Sequence, residues 1–148
     1  MLYSDSDIRK ALADGLFEID GMVEGSLQPA SVDFHLSDRS FKVWAHKGFG
    51  SCPIVPWEDQ TDQMRDVEFS DHPRYGRTIT LFPGQFALAS TAERVRIGSI
   101  VAGRLEGKSS LARLGLVIHT TAGFFDPGFE GYPTLELVNL SPRPMLLR

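Results

Sequence analysis

The chain has 148 residues, 42% of them hydrophobic and 23% charged, and a formal net charge of -4. This suits one domain with a buried core, offers no basic face for DNA or RNA, and leaves no apolar run near the roughly 20 residues of a membrane span. Fourteen Gly and nine Pro favour a turn-rich, mainly β chain over a helical bundle. A single cysteine, Cys52, can form neither an intrachain disulfide nor a multi-cysteine zinc site. The first residues, MLYSDSDIRK, lack the charged-then-apolar pattern of a signal peptide, so a soluble cytoplasmic protein is expected.

Residues 4–15 read as a short helix. Ser4 is the cap, Asp7 answers it three residues on, Ile8, Ala11 and Leu12 form the apolar stripe, and Gly15 stops it. Val32–Leu36 and Phe41–Ala45 each alternate apolar and polar, which predicts two half-buried strands. From His46 to Gly76 the periodicity fades into a long excursion, with one short strand expected near Val67–Phe69. Thr78–Phe82 is a strand, Pro83-Gly84 a turn, and Gln85–Thr91 another strand. Ile97–Leu105 is mixed strand and turn. Closely spaced short strands predict an antiparallel sandwich or a distorted barrel.

Chemistry concentrates between Gly103 and Asn139. Gly107 to Arg113 reads as a turn opening a short helix that Gly115 closes. A helix start suits phosphate, Ser109 and Arg113 share a face, and Lys108 adds a point charge. The same residues also fit a helix with a solvated arginine. The spacing is not that of a Walker A loop. Leu116–Thr121 reads as a strand in which His119 is a hydrogen-bonded structural residue. Ala122-Gly123 breaks it, and Gly123 lets backbone carbonyls approach a ligand. Asp126-Pro127-Gly128 is a turn, its aspartate either a turn former or a group facing a sugar hydroxyl or a water. Thr134–Asn139 is a strand with Glu136 between two leucines. If that carboxyl lies in apolar surroundings its pKa rises towards neutrality, as a proton shuttle requires. A solvent-facing strand glutamate fits the alternation equally well.

The pattern KSSLARLGLVIH, TTAG, FFDPGFEG and TLELVN closely resembles the dCTP deaminases of the dUTPase-like superfamily. SDSDIRKAL, QPASVDFHL, LFPGQFALASTAE and VAGRLEGKSS follow the family's order, so the likeness covers the chain except residues 46–76. It implies a mainly β, distorted antiparallel barrel or jelly roll with a short N-terminal helix. It also implies a homotrimer with active sites between subunits, and deamination of dCTP with Mg2+ carried on the triphosphate. Glu136 matches the glutamate that passes protons between water and leaving amine. Ser109, Arg113 and the carbonyl of Ala122 match the groups that place the water and polarise the base. Lys108, Ser109, Ser110, Leu111, Ala112 and Arg113 match the phosphate-binding segment, and Thr134 and Leu135 join Glu136 in contacting substrate. No protein metal ligand is implied. Lys108 stands where many members carry Arg.

Gly123 and Phe124 resemble the members that also cleave the triphosphate and release dUMP and diphosphate. In those, the aspartate matching Asp126 activates water for the phosphate step. Two departures stand out. Pro133 removes a ladder donor just before the Glu136 strand, which suggests an edge or bulged strand there. The resemblance also makes residues 1–148 a single domain lacking the family's C-terminal strands and nucleotide-closing tail. The alternatives are a deaminase releasing dUTP, a dUTPase-like hydrolase that needs no Glu136, and a non-catalytic trimer that binds nucleotide; dUTP and dTTP are further candidate ligands beside dCTP.

Overall fold

The computed structural model describes residues 2–44 and 63–148. Cys52, Ala45 and most of the 46–76 excursion lie outside these residues. The first helix is Asp5–Ala13, closed at its start by a capping box. The amide of Asp7 donates to Ser4 Oγ at 3.4 Å, and the amide of Ser4 donates back to Asp7 Oδ2 at 3.0 Å. Ile8 and Ala11 are its buried residues, and Gly15 follows at φ +68°, the left-handed geometry that ends a helix cheaply only at glycine.

Among the described residues every strand pairing is antiparallel. A five-stranded sheet runs in the order Leu116–Val117, Thr134–Asn139, Phe86–Thr91, Leu36–Trp44, Met64–Asp66. A three-stranded sheet of Met145–Leu147, Gly76–Leu81 and Ser70–His72 contributes Ile79 and Leu81 to the same core, which also holds Phe41, Val43, Ala87, Ala89, Leu135 and Leu137. A second three-stranded sheet joins Phe17–Asp20, Arg94–Ile97 and Glu130–Gly131. There Glu18 lies opposite Arg96 and is ion-paired with it, while Arg94 is paired with Glu130.

The alternation of Thr134–Asn139 decides which way the site faces. Leu135 and Leu137 point inward and register against Ala89 and Ala87, so a large side chain meets a small one across the ladder. Each leucine so buried stabilises the fold by about 1.5–3 kcal/mol. With both leucines inward, the period of two turns Glu136 to the outer face, opposite Leu88. Asn139, fully buried at the strand's end, donates to the carbonyls of Leu81 at 2.9 Å and Arg143 at 2.8 Å and accepts from the amide of Ser141 at 2.9 Å.

Four expected elements differ. Val32–Leu36 is not continuous: Ser31–Val32 pairs with Leu27–Gln28, and the long strand starts at Leu36. Between them the backbone leaves the ladder because the amide of His35 donates to the buried carboxylate of Glu93 at 2.9 Å, whose other oxygen meets the His35 ring at 2.6 Å. Val67–Phe69 is not a strand but the link between Met64–Asp66 and Ser70–His72, with the Val67 amide bonded to the Phe41 carbonyl. Leu116–Thr121 is a strand only over Leu116–Val117, after which the chain bends. Pro133 makes no edge: Thr134–Asn139 is an interior strand, and Pro133 sits just ahead of it, buried, with its carbonyl accepting from the amide of Thr91. A missing N–H costs least at that position.

Candidate active site

The phosphate-type segment is one turn of helix, Ser109–Ala112, with Lys108 as its N-cap and Arg113 as its C-cap. The Arg113 amide donates to the Ser109 carbonyl at 3.0 Å. No side chain caps the start, and the first amides of any helix lack an acceptor within it, so Ser109 and Ser110 present N–H groups outward. Ser109, Ser110, Leu111, Ala112 and Arg113 are all exposed. Arg113 has no ion-pair partner among the described residues. Lys108 does have one: Nζ lies 2.5 Å from Asp33 Oδ2.

From this helix the chain turns through Gly115, at φ +92°, where an added Cβ would stand 2.9 Å from the Ser141 amide nitrogen. Leu116–Val117 then pairs with Val138 and Asn139, and the amide of Glu136 donates to the Ile118 carbonyl at 3.0 Å. The bend at 119–122 follows. It is held at its far side by the Leu105 amide, which donates to the Gly123 carbonyl at 2.6 Å, and by the pairing of Gly103–Arg104 with Phe124–Phe125. A Cβ on Gly123 would come within 2.9 Å of the Leu105 carbonyl oxygen and 3.2 Å of the His119 ring. The glycine is thus required by packing against Leu105 and His119.

The bend delivers Thr120 to Glu136. The Thr120 amide donates to Oε2 at 2.9 Å, and the Thr120 hydroxyl donates to the same oxygen. These two bonds, the hydroxyl's the larger, hold the Glu136 carboxyl below its ordinary range. Partial burial pulls the other way and loses, and the Thr121 amide and the Coulomb attraction of His119 add to the lowering. The expectation of a raised pKa is therefore corrected: Glu136 is half-buried, but in a polar, donor-rich notch rather than an apolar one. At neutral pH it is ionised, and so a base.

His119 behaves only in part as expected. Its side chain is 18% exposed, its Nδ1 is buried without a partner, and its Nε2 stands 3.8 Å from Glu106. Asp126 is exposed at the turn. Its carbonyl accepts from Phe129, and Gly128, at φ +88°, donates to the Ile97 carbonyl. Phe124 is 68% exposed beneath the Arg104 guanidinium. Ala122 and Thr134 are exposed, whereas the Leu135 side chain belongs to the core, which leaves only its backbone for a ligand.

The fold thus places Glu136 against the bend that carries Ala122. Among the described residues, no hydrogen bond or ion pair joins Glu136 to Ser109 or Arg113. Sequence reasoning did not pick out Thr120, Asp33 or the Glu93–His35 pair. Only the adjacent threonines before the Ala-Gly break hinted at the first of them.

A family model described as dCTP deaminase-like matches residues 2–148. The chain is 45% identical over 148 residues to the dUMP-forming dCTP deaminase of Parafrankia sp. (strain EAN1pec), covering 99% of itself and 70% of that protein. It is 47% identical over 147 residues to the dUMP-forming dCTP deaminase of Streptomyces coelicolor, covering 73% of that protein. Among solved structures, the 2'-deoxycytidine 5'-triphosphate deaminase of Agrobacterium tumefaciens superposes with a TM-score of 0.68 at 21% identity. That match covers 99% of this chain and 44% of the other, and it bears on the fold alone.

Proposed function

The chain belongs to the dCTP deaminase-like family, and from that premise we propose that it deaminates dCTP by hydrolysis and cleaves the triphosphate, releasing dUMP and diphosphate. The observation that carries this reading is Glu136: an outward-facing carboxylate, clamped and ionised, beside the Ala122 bend.

In this reading a water adds to C4 of the cytosine ring as Glu136 takes one of its protons. Glu136 passes that proton to the ring nitrogen, then takes the second proton from the C4 hydroxyl and gives it to the amine, so that the C4 carbonyl forms as ammonia leaves. General acid–base help of this kind contributes about 10²–10⁴-fold. Covering the carboxylate with the base removes water from around it and raises its pKa from the low starting value, so one group serves as base and then as acid. Ser109, Arg113 and the Ala122 carbonyl place the water and stabilise charge on the ring. In the second step Asp126 activates a water that attacks the α-phosphorus, and diphosphate leaves. Together, dCTP and two waters give dUMP, diphosphate and ammonia. Gly123 and Phe124 are assigned to this dUMP-forming character.

Lys108 and the segment to Arg113 take the triphosphate, aided by the outward amides of Ser109 and Ser110. Among the described residues no cluster of three or more His, Cys, Asp or Glu is arranged to hold a metal. We assign Mg2+ to the oxygens of the triphosphate, whose charge it would neutralise. The exposed Ser109 and Arg113, unbonded to Glu136 of their own chain, support a homotrimer in which one subunit's phosphate segment meets another's Glu136. Among the described residues no helix is long and apolar enough to cross a membrane, and the reading sets the reaction in the cytoplasm.

Incubation with dCTP and Mg2+, with products resolved by chromatography, tests this. dUMP with ammonia is expected. Accumulating dUTP would remove the second step. Unchanged dCTP that nevertheless raises Tm would replace the enzyme with a binding module.

A further inference from the structure

We infer that Thr120 is a positioning residue for this proton transfer: its amide and hydroxyl both donate to Oε2 of Glu136, which fixes the carboxylate's orientation and leaves Oε1 as the oxygen that exchanges protons. This inference rests on the reading of Glu136 as the proton carrier.

A carboxylate has two oxygens and about four lone-pair positions. Two charge-assisted donors on Oε2 leave that oxygen little capacity to accept a third proton. A proton taken from water therefore goes to Oε1. Oε2 then becomes the carbonyl oxygen of the acid, and both Thr120 donors still suit it, so the clamp persists through both protonation states. The transferring oxygen is the same when the proton arrives and when it leaves.

The amide half of the clamp is set by the backbone. Ile118 is tied to the Glu136 amide at 3.0 Å, and Gly123 is tied to Leu105 at 2.6 Å, so the 119–122 bend is pinned at both ends. His119 packs behind it, with its ring against Gly123 and its Nε2 facing Glu106. These are the titratable groups on that side of Glu136. Across the ladder stands Leu88, which carries no charge. The hydroxyl half depends on the side chain alone. A Val, Ala or Gly at 120 would keep the amide and lose it, whereas Ser would keep both.

The test compares Thr120→Val with Thr120→Ser in the full chain. It uses pH profiles of kcat and KM for dCTP with Mg2+, and a 13C NMR titration of the Glu136 carboxyl. In Thr120→Val, kcat falls roughly tenfold or more, the range for one hydrogen bond to a charged group. KM changes little, and both the acid limb of the profile and the carboxyl titration move to higher pH. Thr120→Ser returns all of these towards wild type. Thr120→Ala repeats the loss without the β-branch, in case Val disturbs the bend. A Thr120→Val chain with the wild-type carboxyl titration, or a Thr120→Ser chain as impaired as Thr120→Val, overturns the inference. A wild type that releases no ammonia overturns the functional reading instead, and the NMR titration still decides whether the clamp exists.

Discussion

The ammonium of Lys108 lies 2.5 Å from the carboxylate of Asp33, 75 residues away in sequence. The first cation of the proposed phosphate segment therefore has an anion beside it that would compete with a ligand. Lys108 is 57% exposed and Asp33 31%, so solvent weakens the pair, and exposed pairs of this kind contribute at most about 1 kcal/mol. Asp33→Asn is expected to tighten triphosphate binding a few-fold at low ionic strength, and the gain should vanish as salt screens the site. Lys108→Ala should weaken binding under the same conditions. Isothermal titration with dCTP at two salt concentrations checks both, and a weaker Asp33→Asn complex would mean that Asp33 orients Lys108 instead of competing for it.

Glu136→Gln keeps the shape of the side chain and removes its capacity to carry a proton. Deamination is expected to disappear while the far-UV spectrum is unchanged. Ammonia release from this variant at the wild-type rate would end the assignment. The variant also reports on stability against pH. Because the folded-state pKa of Glu136 is depressed, chiefly by the Thr120 hydroxyl and amide, ionised Glu136 stabilises the fold above the unfolded carboxyl pKa. That contribution is lost as pH falls through the folded value. The Tm difference between wild type and Glu136→Gln should therefore be largest near neutrality and shrink in acid.

What the sequence disclosed and what it hid divide along physical lines. Glu136 stands out because alternation is local: leucines on both sides send it to one face, and the ladder confirms which. The capping box of Ser4 and Asp7 is likewise a three-residue affair. The direction of the Glu136 pKa was hidden, because it depends on a threonine 16 residues upstream brought back by a bend that Gly123 permits. The break of Val32–Leu36 was hidden for the same reason. Its cause, the buried Glu93, is 58 residues from His35. Local periodicity does not encode a carboxylate that substitutes for a strand partner.

Asp126 is exposed on its own turn, separate in sequence and in hydrogen bonding from the Thr120–Glu136 clamp. If it activates water at the α-phosphorus, Asp126→Asn should slow triphosphate cleavage while deamination continues. The product would shift from dUMP towards dUTP, a change that chromatography of a single time course reads directly. Equal losses of both products would mean that the aspartate serves binding in common, through the turn or the sugar.

The strand that carries Glu136 ends on Asn139, and the stability of the site depends on that end. Asn139 is fully buried and satisfies three backbone groups at once: the carbonyls of Leu81 and Arg143 and the amide of Ser141. Its own carbonyl accepts from Gly84 at 2.7 Å, and its amide donates to the Gln85 carbonyl at 3.3 Å. One side chain thus ties the Glu136 strand to the Gly76–Leu81 strand and to the turn leading into Met145–Leu147. Asn139→Leu preserves much of the volume but removes all three bonds: the Leu81 carbonyl loses its partner in a buried setting, whereas the Arg143 carbonyl keeps the Ser141 hydroxyl at 2.8 Å and the Ser141 amide is only part-buried. An unsatisfied buried group costs about 1–3 kcal/mol, so a loss of about that size is expected, chiefly from the Leu81 carbonyl. Urea unfolding should show a lower midpoint at an unchanged m-value. A midpoint equal to that of the wild type would mean that solvent reaches these groups, and that the turn at Ser141, not Asn139, anchors the end of the strand.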